Sequence, residues 1–120
     1  MTTSHILHPT IVREYDIRGI VGDTLKEDDA YAIGRAYGTV LKRGGDSKAG
    51  VCYDGRDSSP GLAKALIQGL NDAGITVENF GLGPTPMAYF GMYERGLDAV
   101  AVITGSHNPP EYNGIKMQHK

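Results

Sequence analysis

Ala30, Ile33, Tyr37, Val40 and Leu41 recur at steps of three and four, a spacing that lines one face of a helix from about Asp28 to Lys42. Gly44-Gly45 stops it. Gly34 and Gly38 sit one turn apart inside that helix, where each glycine costs roughly 1 kcal/mol against alanine. Their placement predicts the close approach of a neighbouring backbone. A second helix is signalled by Ser59 as cap, Pro60 at the first helical position, and the stripe Leu62, Leu66, Ile67 and Leu70, ended by Gly74. After the break at Gly83-Pro84-Thr85-Pro86, the positions Met87, Phe90, Gly91 and Tyr93 predict a shorter helix to about Arg95.

Between these helices the pattern changes period. Ala49 to Tyr53 reads as a short buried strand, and Ile75 to Phe80 as a second one between Gly74 and Gly81. Ala99 to Ile103 is continuously apolar, which predicts a strand buried on both faces. Arg13 to Val21 is extended in character, but its charges and Gly19 make it a poor central strand. Strand and helix alternate three times, so an α/β layer fold is predicted, with helices covering a largely parallel sheet. No internal repeat or linker interrupts residues 1–120, which read as one domain.

Composition removes several function classes. Twelve Lys and Arg stand against 14 Asp and Glu, a net charge of −2, and the cations are scattered singly. Binding a nucleic acid by phosphate neutralisation needs a basic stripe, so no nucleic-acid partner is expected. The run Ala99 to Ile103 falls far short of the roughly 18 to 20 apolar residues of a membrane span, and no membrane partner is expected either. The polar residues Met1 to His5 lead to no apolar signal core, and the single cysteine, Cys52, fits a reducing compartment. A cytoplasmic location follows as the expectation. Seventeen glycines, about twice average usage, occur without a fixed period and so punctuate a globular fold.

Candidate chemistry gathers in two polar loops that follow predicted strands, where open α/β sheets bind ligands. One is Asp54-Gly55-Arg56-Asp57-Ser58-Ser59; the other runs from Thr104 to Gly114 and returns to Ile115-Lys116-Met117 through Asn113-Gly114, a favoured tight-turn pair. By composition alone the second loop reads equally as a solvated hairpin connection. Three details favour chemistry. Gly105 lets backbone N–H groups approach an anion beside Ser106, His107 and Lys116 supply a proton-exchanging group and a cation, and Pro109-Pro110 stiffen the loop. Together these suit a serine that carries a phosphoryl group better than a serine hydrolase, since no Gly-x-Ser-x-Gly elbow is present.

Thr104-Gly105-Ser106-His107-Asn108-Pro109-Pro110-Glu111-Tyr112-Asn113-Gly114-Ile115-Lys116 closely resembles the phosphoserine loop of the α-D-phosphohexomutase family. Three further segments match in order: Glu14-Tyr15-Asp16-Ile17-Arg18-Gly19, Asp54-Gly55-Arg56, and Gly83-Pro84-Thr85-Pro86. The Tyr-Asp-Ile-Arg-Gly opening is similar to the bacterial phosphomannomutase/phosphoglucomutase branch. The resemblance implies a three-layer α/β/α domain with a mainly parallel mixed sheet, the first of four domains, with the remaining domains of the same enzyme as partners. It implies reversible interconversion of hexose 1-phosphates and 6-phosphates through a phosphoserine and a bound hexose 1,6-bisphosphate, which also serves as activator. Ser106 would be the phosphorylated residue and would contact Mg²⁺ through its phosphate. His107, Lys116 and Arg18 would act on the reacting groups, with general acid or base duty undivided among them. Tyr15, Arg18, Asn108 and Lys116 would contact the hexose phosphate, and Asp54 and Arg56 would brace the serine loop.

This chain departs from the family pattern at two places. The usual Gly-Arg-Asp-x-Arg is Cys52-Tyr53-Asp54-Gly55-Arg56, which keeps the Asp and the second Arg; the usual Ala between Thr and Ser is Gly105, a change toward a more flexible loop. A different class of function, a phosphate- or nucleotide-binding module without catalysis, is compatible with the fold but has neither Gly-x-Gly-x-x-Gly nor a P-loop motif to support it. A third expectation is an excised domain that is inactive by itself.

Overall fold

The computed structural model describes residues 12–13, 16–22, 25–83, 85–105, 109 and 111–119. Its elements are β1 (Val12–Arg13), β2 (Asp16–Ile20), α1 (Glu27–Arg43), β3 (Lys48–Tyr53), α2 (Ser59–Asp72), β4 (Thr76–Leu82), α3 (Thr85–Glu94), β5 (Ala99–Ile103) and β6 (Tyr112–His119). The strands form one sheet in the order β1-β2-β6-β5-β3-β4.

Alternation along each strand sorts the side chains between two helical layers. Ala49 and Val51 of β3, Ala99, Ala101 and Ile103 of β5, and Ile115 of β6 are buried in one core with Ala30, Ile33 and Leu41 of α1 and Leu62, Leu66 and Leu70 of α2. The intervening positions Cys52, Val100 and Val102 pack on the opposite face with Met92 of α3, Leu97 and the partly buried Phe80. The chain is therefore a three-layer α/β/α sandwich. Every residue of β5 is buried, as its unbroken apolar run requires. Burial also raises the Cys52 thiol to about 11, so this cysteine is a packed small hydrophobe.

The sheet is mixed, and its parallel part is narrower than strand–helix alternation suggests. β3 pairs in parallel with β4 and β5, whereas β6 is antiparallel to both β5 and β2. The reason is the connection: β5 and β6 are joined by a loop without a crossover helix, and such a return must be antiparallel. β2 has partners on both sides, but its outer neighbour β1 is only two residues long and antiparallel. The charged, glycine-containing stretch is thus one strand removed from the edge.

α1 starts at Glu27, where Asp29 accepts a hydrogen bond from the Lys26 backbone N–H at 2.8 Å. Acidic residues fill its first turn and Lys42 and Arg43 its last, each matching the sign of the helix dipole. Against α1 lies α2, and an added Cβ at Gly34 would collide with the Leu66 carbonyl, while one at Gly69 would collide with the Tyr31 carbonyl. Gly34 inside α1 thus marks a backbone-to-backbone crossing, whereas Gly38 makes room for the side chains of Ala73 and Ile75.

Candidate active site

Parallel pairing of β3 with β5 ends at Tyr53 opposite Ile103, so Asp54 and Thr104 emerge side by side at one rim of the sheet. The ladder continues for one more bond, from the Asp54 N–H to the Ile103 carbonyl at 2.9 Å. On its other side Thr104 donates its N–H to the Gly114 carbonyl at 3.0 Å. The serine loop therefore leaves the sheet between two hydrogen-bonded neighbours.

At this rim the Asp54 carboxylate collects donors from three segments. Oδ1 accepts the Ser59 hydroxyl at 2.5 Å and the Arg56 backbone N–H at 3.1 Å. Oδ2 accepts the Gly105 N–H at 3.0 Å and the Arg56 Nε–H at 3.1 Å. Burial pushes the Asp54 carboxyl upward, but the donors Ser59, Gly105, Arg56 and Thr104 together outweigh it and hold the group below the usual aspartate range. Asp54 is therefore an anion at neutral pH. Arg56 extends the contact by donating Nη1–H to the Pro109 carbonyl at 2.9 Å. One ion pair thus grips the chain just before Ser106, at Gly105, and just after Asn108, at Pro109.

Gly105 contributes space rather than the flexibility expected of it. It is buried, and an added Cβ would fall inside the Arg56 guanidinium, so the missing side chain is the seat in which that guanidinium lies. Two other local expectations are corrected here. Asn113-Gly114 is no tight turn: both residues are in β6, opposite Gly19 and Arg18 of β2. Ser59 is the first helical residue of α2 rather than its cap, and the helix has no side-chain cap at Ser58. Both serine hydroxyls are instead engaged across the sheet rim, each accepting from the Asn113 side-chain amide at 2.9 Å. Sequence reasoning missed Asn113 and Ser59 as site residues. The available signal was the polar side chain at position 113 two residues before the apolar Ile115, on the face that a strand would bury.

Of the residues singled out from sequence, Asp54 and Arg56 are brought together by direct contact. Lys116 lies in β6, half-buried, opposite Asp16 of β2 and Val102 of β5. Arg18 lies in β2 opposite Gly114, so positions 18 and 116 belong to the same face of the sheet by alternation. Tyr15, Ser106, His107 and Asn108 lie outside the described residues. Among the described residues no three His, Cys, Asp or Glu side chains gather into a metal-binding group.

Residues 9–120 match the family model of phosphoglucomutase/phosphomannomutase, α/β/α domain I. The chain belongs to the phosphoglucomutase/phosphomannomutase family. The resemblance read from four ordered segments holds, and so does the α/β/α fold it implied. Among family members, a phosphomannomutase/phosphoglucomutase of Pseudomonas aeruginosa is 48% identical over 111 residues, 92% of this chain and 24% of that protein. A phosphoglucomutase of Neisseria gonorrhoeae is 48% identical over 107 residues, 89% of this chain and 23% of that protein. The crystal structure of a phosphoglucomutase/phosphomannomutase family protein from Burkholderia thailandensis matches 93% of this chain with a TM-score of 0.88 at 43% identity, and the match covers 26% of that chain. This chain thus spans about a quarter of the length of the family members it matches. Among the described residues no helix is long and apolar enough to cross a membrane.

Proposed function

We propose that this chain supplies the phosphoserine loop of a phosphohexomutase that interconverts hexose 1-phosphates and 6-phosphates. The observation that carries the proposal is the Asp54–Arg56 ion pair bonded to both Gly105 and Pro109, because it fixes the two roots of the segment that contains Ser106. Phosphoryl transfer depends mainly on positioning and on charge stabilisation, and a carrier serine therefore needs a held loop.

In the reaction, the P–O bond to Ser106 breaks as a hexose phosphate hydroxyl forms a new P–O bond, the hydroxyl proton passes to a base among His107, Lys116 and Arg18, and the departing Ser106 oxygen takes up a proton from an acid among the same residues. The resulting hexose 1,6-bisphosphate turns over and returns its other phosphoryl group to Ser106. An imidazole titrates near neutral pH without perturbation, which suits His107 to the proton transfer. Lys116 and Arg18, from adjacent strands on one sheet face, suit the stabilisation of charge on the transferring group. Tyr15 and Asn108 would add contacts to substrate. Mg²⁺ would be held through the Ser106 phosphate and would neutralise charge there, with its other ligands, as the family resemblance implies, on further domains of the same enzyme. Those domains and the hexose phosphate are the partners, and the enzyme works in the cytoplasm.

The test is to incubate the chain with Mg²⁺ and a hexose 1,6-bisphosphate and to map phosphorylation by mass spectrometry beside a Ser106→Ala control. Phosphate on Ser106, absent from the control, is the expected result. If only a longer chain carrying the further domains is labelled, the carrier assignment stands and this part is inert alone. Labelling of neither overturns the proposal in favour of a binding module.

A further inference from the structure

We propose that Asn113 is a positioning residue for the phosphoryl-carrying loop, acting through the Ser59 hydroxyl on the carboxylate of Asp54. The proposal rests on the assignment of Ser106 as the carrier.

Asn113 and Ser59 are both completely buried, and buried polar groups must find partners. The orientation of the Asn113 amide follows from its neighbours: Oδ1 accepts the Gly114 N–H at 2.9 Å, which turns Nδ2 toward the two serines. Nδ2 then donates to Ser58 Oγ and to Ser59 Oγ, both at 2.9 Å. A serine hydroxyl has one proton and two lone pairs. With a lone pair of Ser59 taken by the amide, its proton is directed to Asp54 Oδ1 at 2.5 Å. The other oxygen of the same carboxylate holds the Gly105 N–H, immediately before Ser106. Four groups on four different segments, β6, the start of α2, the end of β3 and the end of β5, are linked in one directed chain of hydrogen bonds.

The direction of donation is what gives Asn113 its effect. Asn113→Asp keeps the shape but replaces the donor with an acceptor, so the Ser59 proton is drawn toward position 113 and away from Asp54. Asp54 then loses its hydrogen bond from Ser59, and the root of the loop at Gly105 is loosened. Ser59→Ala removes the same link at its midpoint with a smaller disturbance to the sheet.

The test measures native-state hydrogen exchange at the Gly105 amide, relative to the Ala101 amide in β5, together with the rate of Ser106 phosphorylation by a hexose 1,6-bisphosphate with Mg²⁺. For Asn113→Asp and for Ser59→Ala, Gly105 exchange relative to Ala101 is expected to rise at least about tenfold, the scale of one hydrogen bond to a charged group. Ser106 phosphorylation is expected to slow by a similar factor. The double variant should match the single ones, because both changes cut one link. Gly105 and Ala101 accelerating in parallel would mean that Asn113 only stabilises the fold and would overturn the proposal. Should Asn113→Asp fail to fold, Ser59→Ala decides by the same ratio. If the unaltered chain and a longer one both leave Ser106 unphosphorylated, the functional assignment fails, whereas an unchanged Gly105 ratio sinks the positioning role alone.

Discussion

At Asp54 one carboxylate joins a strand end, a helix start and a loop root through hydrogen bonds at 2.5 to 3.1 Å. Its folded pKa lies below its unfolded value, so ionisation of Asp54 favours the folded state. That contribution is fully present above the ordinary aspartate value of 3.8 and is lost as pH falls through the depressed folded value. Asp54→Asn removes the titration along with the ion pair. The variant is expected to melt lower than the unaltered chain at neutral pH and to lose less of its thermal midpoint between about pH 5 and pH 2.5, measured by circular dichroism. Equal losses in the two proteins would place the acid sensitivity elsewhere. The carboxylate and its arginine were legible in the sequence because Asp54-Gly55-Arg56 is a local motif. Asn113 was misread because Asn-Gly is a strong local turn signal, whereas the extended conformation here is set by partners on another segment, Gly19 and Arg18 of β2.

Among the elements, the crossing of α1 and α2 is the most sharply constrained. Gly34 and Gly69 face one another there, and a side chain on either would meet the partner helix's backbone, which cannot turn aside as a rotamer can. Gly34→Ala gains about 1 kcal/mol in helix propensity but overpacks the crossing, a cost of about 1–3 kcal/mol that grows where backbone must move. The expected net effect in urea denaturation is destabilisation by roughly 1–2 kcal/mol. Gly44→Ala is the contrast. Its backbone has φ −83°, and the nearest neighbour of an added Cβ is the Leu41 carbonyl at 3.6 Å, so its unfolding midpoint should scarcely move. The close approach could be read from glycines spaced one turn apart, but its partner could not, since Gly69 lies in a helix whose apolar stripe gives no hint of which residue is touched. In the same way, the run Ala99 to Ile103 announced a strand buried on both faces, while Ser59 was assigned to a cap because the competing demand from Asn113 is tertiary.

For the whole molecule, periodicity located β3, α2, β4, α3 and β5 to within a few residues, and their alternation fixed the parallel half of the sheet. The antiparallel half was not contained in that alternation. A polar loop between two strands is silent about whether the second strand runs back beside the first or continues elsewhere, and the neighbour it finally takes, β2, comes from the opposite end of the chain.

That last pairing has a consequence for the order of folding. Residues 16–20 meet residues 112–116, so the β2–β6 ladder closes the longest loop in the described chain, and the entropy of that closure must be met before its hydrogen bonds form. β3, β4, β5 and β6 are neighbours in sequence and in space and can assemble first. Pulse-labelling during refolding is expected to protect amides of β3 and β5 before those of β2; protection of all three in a single phase would contradict this order. The loop clasp and the Arg18 position thus have different histories. An incompletely folded molecule can hold Gly105 and Pro109 in place while the strand that brings Arg18 alongside Gly114 has not yet arrived.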